Sequence, residues 1–316
     1  MSIEAFMLGT GGSMPLPHRS LTSMLLRREG ELFLFDCGEG TQVSLRRLNL
    51  KWKNINAIFI SHTHADHITG LPGILMLSSQ VERADPLYII GPPRIREYIE
   101  MSRRILEMYI NYEIIIKEIA DPSVPQTVFE TSEYAIRSFP LKHTRTCVGY
   151  SFTEQPRPGL FHPERAMAAG VPRGPLWSVL QSGKSVTLDD GTIIAPSQVM
   201  DSARKGRKVS FVTDTLPHGS ISGEVENSDL FLCEGMFEHA LAETAHAKKH
   251  MTARDAAGLA AASTGVKELG LMHFSPRYTD KELKLLLEEA QAVFPRTQLM
   301  RDRQSVQIPL SDEEIL

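Results

Sequence analysis

Short apolar and β-branched runs recur along the whole chain. Ile3–Leu8, Thr22–Leu26, Leu32–Phe35, Ile55–Ile60, Leu87–Ile90 and Ile114–Ile119 come first; Tyr134–Phe139, Val148–Thr153, Val209–Thr213, Leu230–Cys233, Glu268–Met272 and Ser305–Ile308 follow. Each has the length and residue types of a strand. Helix-like segments lie between them near Gln42–Leu48, Gly70–Ser79, Arg94–Met108, Ala253–Ala262 and Asp280–Val293. In the last of these Leu283, Leu286, Leu287, Ala290 and Val293 share one face, and Thr279 with Glu282 forms a capping-box pattern ahead of it. Strands and helices mixed over this length predict layered α/β architecture, with sheets covered by helices.

One stretch breaks the rhythm. From about Gln155 to Lys208 the chain is rich in Pro, Gly and basic residues, with a hairpin expected where Ser185–Leu188 and Thr192–Ala195 flank Asp189-Asp190-Gly191. Eight lysines and arginines against four carboxylates give this segment +4; the chain totals −4, so the remainder carries −8. The segment reads as an insertion from the core or, equally, as an ordinary surface excursion.

Composition narrows the class. Of 316 residues 42% are hydrophobic and 23% charged, ordinary for a globular chain of one large domain or two of typical size. Cys37, Cys147 and Cys233 are odd in number and widely spaced, which fits a reduced, cytoplasmic protein better than a disulfide framework. The opening residues lack a basic region followed by an apolar core, and no apolar run approaches the ~20 residues of a membrane span. No secretory signal and no membrane partner are therefore expected. The acidic total argues weakly against nucleic-acid binding, but such binding depends on local basic surface.

The chemistry is concentrated in Ser61-His62-Thr63-His64-Ala65-Asp66-His67, directly after the strand Ile55–Ile60. Imidazole nitrogen and carboxylate oxygen are good ligands for a borderline-soft cation such as Zn²⁺, so one tight loop can serve two adjacent ions. Further ligands are then needed at other strand ends. His143 follows Tyr134–Phe139, Asp214 follows Val209–Thr213, and His273 follows Glu268–Met272. Singly, each reads more readily as a turn or surface residue; beside the His-rich loop, the three become the better ligand set. Leu8-Gly9-Thr10-Gly11-Gly12-Ser13 lacks the ending of a phosphate-binding loop and reads instead as a tight turn opening the site.

The H-x-H-x-D-H loop followed by His, Asp and His at strand ends resembles the metallo-β-lactamase superfamily, whose fold is a four-layer αββα sandwich. The resemblance implies two zinc ions: His62, His64 and His143 on one, Asp66, His67 and His273 on the other, Asp214 bridging, and Asp36 supporting the site from behind. Within the superfamily, Leu34-Phe35-Asp36-Cys37-Gly38-Glu39-Gly40-Thr41-Gln42, the inserted segment with Gly174-Pro175-Leu176, and Leu271-Met272-His273-Phe274-Ser275-Pro276-Arg277-Tyr278 resemble the short-form tRNase Z family. That likeness spans about residues 3 to 310. It implies a single 1–316 domain with a flexible RNA-binding arm at 155–208, precursor tRNA as substrate, a homodimer, and endonucleolytic removal of the 3′ trailer that leaves a 3′-hydroxyl. Asp66 would activate the water and His250, just before a helix cap at Thr252, would act as general acid. Arg19, Gly174, Pro175 and Arg277 would touch substrate.

Two departures stand out. The family's P-x-K-x-R-N loop reads Pro15-Leu16-Pro17-His18-Arg19-Ser20, and its H-S-T triplet reads His250-Met251-Thr252. The first puts the cleavage position and the response to a CCA end in doubt. Two rival readings remain: a small-molecule or cyclic-nucleotide phosphodiesterase on the same fold, and a protein whose zinc is purely structural. The basic segment weighs against the first and the cysteine-free ligand set against the second.

Overall fold

A computed structural model describes residues 2–310; the ends of the expected 1–316 domain lie outside the described residues. The chain forms two compact units. The larger comprises residues 1–131, 135–152 and 207–316, and the smaller residues 132–134 and 153–206.

The larger unit contains two seven-stranded sheets. In chain order the strands of the first are β1 (Ile3–Gly9), β2 (Ser23–Arg28), β3 (Glu31–Phe35), β4 (Ile55–Phe59), β5 (Leu87–Gly91) and β6 (Ile114–Glu118). The second sheet begins with β7 (Gln126–Glu130), β8 (Tyr134–Lys142) and β9 (Thr146–Glu154); β10 (Val186–Thr187) and β11 (Ile193–Ile194) form a separate two-stranded sheet in the smaller unit. Then come β12 (Lys208–Val212), β13 (Leu230–Glu234), β14 (Glu268–Met272) and β15 (Thr297–Leu299), and β16 (Ser305–Ile308) returns to the first sheet. The spatial orders are β16-β1-β2-β3-β4-β5-β6 and β15-β14-β13-β12-β9-β8-β7.

The pairing explains the continuous apolar runs. β3 through β6 pair in parallel, as do β12 through β15. Parallel strands are covered on both faces, so their side chains need not alternate. One covering is the other sheet. Phe35 meets Phe211 at 5.8 Å between ring centroids and Tyr150 at 5.9 Å, and Phe59 meets Tyr150 at 5.5 Å. The other is helical. Helices Thr41–Arg47, Leu71–Gln80 and Ile95–Ile105 share a core with the first sheet, and Ala253–Ala262 and Leu283–Gln291 share one with the second. The result is the expected four-layer αββα sandwich.

Two edge strands escape the sequence pattern, β7 and β15, which lie at opposite ends of the second sheet. Both are short and at most partly apolar, as edge strands often are. Thr279 and Glu282 exchange the two capping bonds, Thr279 N–H to Glu282 at 2.8 Å and Glu282 N–H to the Thr279 hydroxyl at 3.3 Å. The regular helix begins just after them, at Leu283.

The smaller unit has its own apolar centre of Ala166, Val171, Leu180, Val186, Ile194 and Val199. It carries helices Pro163–Ala168 and Pro175–Gln181, and the expected hairpin pairs Val186 with Ile194. The basic run Arg204-Lys205-Gly206-Arg207-Lys208 blurs its end in the sequence. Lys208 already belongs to β12, its N–H bound to Asp229 at 2.8 Å.

Candidate metal centre

Four loops leave the ends of β4, β8, β12 and β14, and they bring seven side chains together. Two four-residue groups form: His62, His64, His143 and Asp214, and Asp66, His67, Asp214 and His273, with every ligand atom of a group within 4.8 Å of the others. In the first, His64 Nδ1 lies 3.0 Å from His62 Nε2 and 3.1 Å from His143 Nε2. Asp214 Oδ2 is 3.6 and 3.5 Å from the same two Nε2 atoms. In the second, Asp214 Oδ1 is 3.2 Å from His67 Nε2 and 3.1 Å from His273 Nε2. Asp66 Oδ2 stands 3.6 and 3.9 Å from them.

These spacings fit a cation in each group. Ligands about 2.1 Å from one ion in a tetrahedron lie about 3.4 Å from each other. The buried His67 Nε2, His273 Nε2 and Asp214 Oδ1 make no hydrogen bond, an expensive arrangement unless something positive joins them. The donor set is nitrogen and oxygen without sulfur, which suits Zn²⁺ and similar divalent ions.

The imidazoles are held by their outward nitrogens. His67 Nδ1 reaches Asp36 at 2.7 Å, His143 Nδ1 the Lys249 carbonyl at 2.9 Å, and His273 Nδ1 the Thr22 hydroxyl at 2.6 Å. With Nδ1 bound outside, each ring keeps its Nε2 lone pair facing the centre. Asp36 and His273 have φ of 54° and 58°, a left-handed backbone that costs energy in a non-glycine residue and clusters at functional sites. Gly12 closes the site opposite: a Cβ there would stand 2.5 Å from His273 Nε2. Next to it the Ser13 N–H donates to Asp66 Oδ2 at 2.7 Å. Burial pushes the Asp66 carboxyl up, but the His67 and His273 rings outweigh it and hold it below the usual range.

His250 stands beside the shared carboxylate, its Nε2 3.9 Å from Asp214 Oδ2. Thr252 is the cap of helix Ala253–Ala262, bonded reciprocally with Asp255, so the helix entry fixes the approach of His250. Its Nδ1 lies 3.0 Å from the carboxylate of Glu234, the last residue of β13. Burial opposes a charged His250, yet Glu234 and then Asp214 outweigh it and push its pKa up to about 9. Burial raises Glu234 to about 7, with His250 pulling partly against it. Sequence patterning ends this strand at Cys233 and misses Glu234, although an acid at a strand end follows the same placement as Asp214.

The expected substrate contacts fare differently. Arg19 is 4% exposed, and its guanidinium donates to the Tyr278 carbonyl at 3.3 Å and to Asp280 at 2.8 Å. It ties two loops together rather than facing solvent, because the loop after β14 folds over it. Arg277 is exposed with its guanidinium 4.9 Å from the centroid of the Phe237 ring. In the smaller unit, Gly174 has φ 153° and leads into Pro175 at the first position of a helix. No helix among the described residues is long and apolar enough to cross a membrane.

The chain is similar to known proteins over nearly its full length. A protein of Treponema denticola named ribonuclease Z is 62% identical over 312 residues, covering 99% of this chain and 100% of that protein. The crystal structure of human tRNase Z, short form, has a TM-score of 0.71 at 25% identity, covering 97% of this chain and 100% of that one. The metallo-β-lactamase fold protein YhfI of Bacillus subtilis has a TM-score of 0.67 at 19% identity, again covering 97% and 100%. The family described as anti-Pycsar protein Apyc1 matches residues 3–153.

Proposed function

This chain belongs to the ribonuclease Z family, and on that premise we propose that its two ligand groups would hold two zinc ions and that a Glu234–His250 pair beside them serves the cut of precursor tRNA at its 3′ side. It is a tRNA 3′-processing endoribonuclease of the metallo-β-lactamase fold. The observation that carries the division of labour is the pair of ligand groups sharing Asp214, with a protonatable histidine beside the shared carboxylate.

His62, His64 and His143 would hold one ion, Asp66, His67 and His273 the other, and Asp214 both. A pair of such cations supplies Lewis-acid chemistry, acidifying water and drawing charge from phosphoryl oxygens. Asp66, steadied by the Ser13 N–H, accepts the proton of the attacking water. The water oxygen bonds to phosphorus as the bond to the ribose 3′-oxygen breaks. His250 Nε2 gives that oxygen its proton, so the tRNA leaves with a 3′-hydroxyl and the trailer with a 5′-phosphate. Glu234 holds His250 Nδ1 and favours the imidazolium that must donate.

The basic residues of the smaller unit and Arg277 fit contact with the phosphate backbone of precursor tRNA. A phosphodiesterase limited to small molecules finds no support beside a 62% identical ribonuclease Z. A second copy of the chain is the fitting partner for an apolar face of the larger unit. Ile105 is 67% exposed there, and with Met101, Leu106, Ile68 and Pro72 it lines a groove of about 550 Å³. Three unpaired, buried cysteines fit the reducing cytoplasm. Metal analysis tests the centre: about two zinc ions per chain, with chelation abolishing turnover of bis(p-nitrophenyl) phosphate, support it. At most one ion at saturation with full activity would overturn it.

A further inference from the structure

His62 and His67 belong to different halves of the metal centre, yet their outward nitrogens converge on one carboxylate. His67 Nδ1 lies 2.7 Å from Asp36 Oδ2. His62 Nδ1 lies 3.0 Å from the Ser61 hydroxyl, and that hydroxyl lies 2.8 Å from the same Asp36 oxygen. The other oxygen, Oδ1, accepts the Ser61 N–H at 2.7 Å. All four residues are fully buried.

Only one order of protons satisfies this chain. The Asp36 carboxylate has only lone pairs to offer, so the His67 ring proton facing it is on Nδ1 and is donated to Asp36 Oδ2. That oxygen is therefore an acceptor, and the single hydroxyl hydrogen of Ser61 points to it. The Ser61 oxygen then has only lone pairs to offer His62. His62 must carry its proton on Nδ1, which leaves the Nε2 lone pair facing His64 and His143. The other neighbours cannot take over. Cys147 Sγ is 3.6 Å from His62 Nδ1 and a weak acceptor, while the Thr213 hydroxyl donates to the Ser61 oxygen at 3.4 Å.

We propose that Ser61 is a positioning residue, the relay through which Asp36 sets the tautomer of His62, so that one carboxylate orders a ligand in each half of the centre. The proposal rests on the metal-centre reading above. Removing the hydroxyl leaves the buried His62 Nδ1–H with only the weak, distant Cys147 sulfur as acceptor, and the ring gains little by keeping its proton there. His67 retains its direct bond to Asp36, so the effect falls on the His62 half.

The test uses the full chain and zinc alone, titrated against a competing chelator and followed by long-range ¹H–¹⁵N spectra of the histidine rings. In metal-free wild type, His62 is the Nδ1–H tautomer; in Ser61→Ala, the Nε2–H form gains population. Zinc affinity at the His62 half falls about 10–100-fold in Ser61→Ala, with a change of less than about threefold at the His67 half. Ser61→Thr, which keeps a hydroxyl, restores both the tautomer and the affinity. If Ser61→Ala does not fold, Ser61→Cys against Ser61→Thr carries the same comparison, because a thiol is a weak donor and acceptor. An unchanged His62 tautomer and affinity without the hydroxyl, or equal losses in both halves, overturns the relay. A wild-type chain that binds no zinc at these histidines overturns the metal-centre reading itself.

Discussion

Glu234 places a carboxylate oxygen 3.0 Å from Nδ1 of His250, and both residues are buried beside Asp214. The contact leaves His250 Nε2 as the end that faces the centre. It also favours the charged ring, with a pKa of about 9, so the proton is present at neutral pH.

His250→Ala is expected to slow cleavage of precursor tRNA by about 10²–10⁴-fold, the usual worth of general acid catalysis. Cleavage of bis(p-nitrophenyl) phosphate should fall much less, since nitrophenolate leaves without a proton. Asp214→Ala should impair both substrates. Steady-state kinetics on the two, with thermal melting as a control for folding, make the check. Equal losses in a normally folded His250→Ala exclude the acid role.

Glu234→Gln removes the negative charge that raises His250. The His250 pKa then moves down, so the alkaline fall in RNA cleavage begins at a lower pH than in wild type. The nitrophenyl ester profile should not shift with it. A pH–rate profile that is unmoved on RNA contradicts the pairing.

That these His and Asp side chains gather in one place was legible in the sequence because each follows an apolar strand: His62 after Ile55–Ile60, His143, Asp214 and His273 after three others. The ends of these four strands converge although β4 lies in one sheet and β8, β12 and β14 in the other, and that geometry is a property of the architecture. Glu234 obeys the same rule, but alone at a Glu-Gly step it has no histidine beside it to raise its signal. Arg19 was not legible as a buried tie, since its partners Tyr278 and Asp280 lie some 260 positions along the chain. Ser61 reads as filler before His62 until Asp36 is seen behind it. The order of strands in the two sheets, and the edge strands β7 and β15, likewise depend on pairings between distant segments.

Gly12→Ala should leave the fold intact and weaken metal binding at the Asp66, His67 and His273 half. The added Cβ would lie 2.5 Å from His273 Nε2, so the ring or the turn must move. Overpacking of this kind costs about 1–3 kcal/mol. Zinc titration together with circular dichroism reads both quantities, and wild-type affinity would show that the turn yields freely.

Arg19→Ala should lower the melting temperature more than it weakens RNA binding. Hydrogen bonds to a charged group contribute about 1.5–3 kcal/mol, and the guanidinium makes two to the loop after β14. A large loss of RNA affinity at unchanged stability would return Arg19 to the substrate surface.

Replacing residues 156–205 by a short Gly/Ser linker should weaken tRNA binding strongly and flatten its salt dependence, since neutralised phosphates set that slope. The deletion stops before Arg207 and Lys208, which belong to the larger unit. Turnover of bis(p-nitrophenyl) phosphate should largely survive. Unchanged RNA affinity and salt slope would remove the smaller unit from substrate binding.

Mapping both ends of the products made from a tRNA precursor with a labelled 3′ trailer tests the central claim most directly. One internal cut, giving a tRNA with a 3′-hydroxyl and an intact trailer with a 5′-phosphate, abolished by chelation and by Asp214→Ala, is the predicted result. A ladder of single nucleotides from the 3′ end, a 3′-phosphate on the tRNA, or an uncut precursor with the zinc-loaded chain would contradict it.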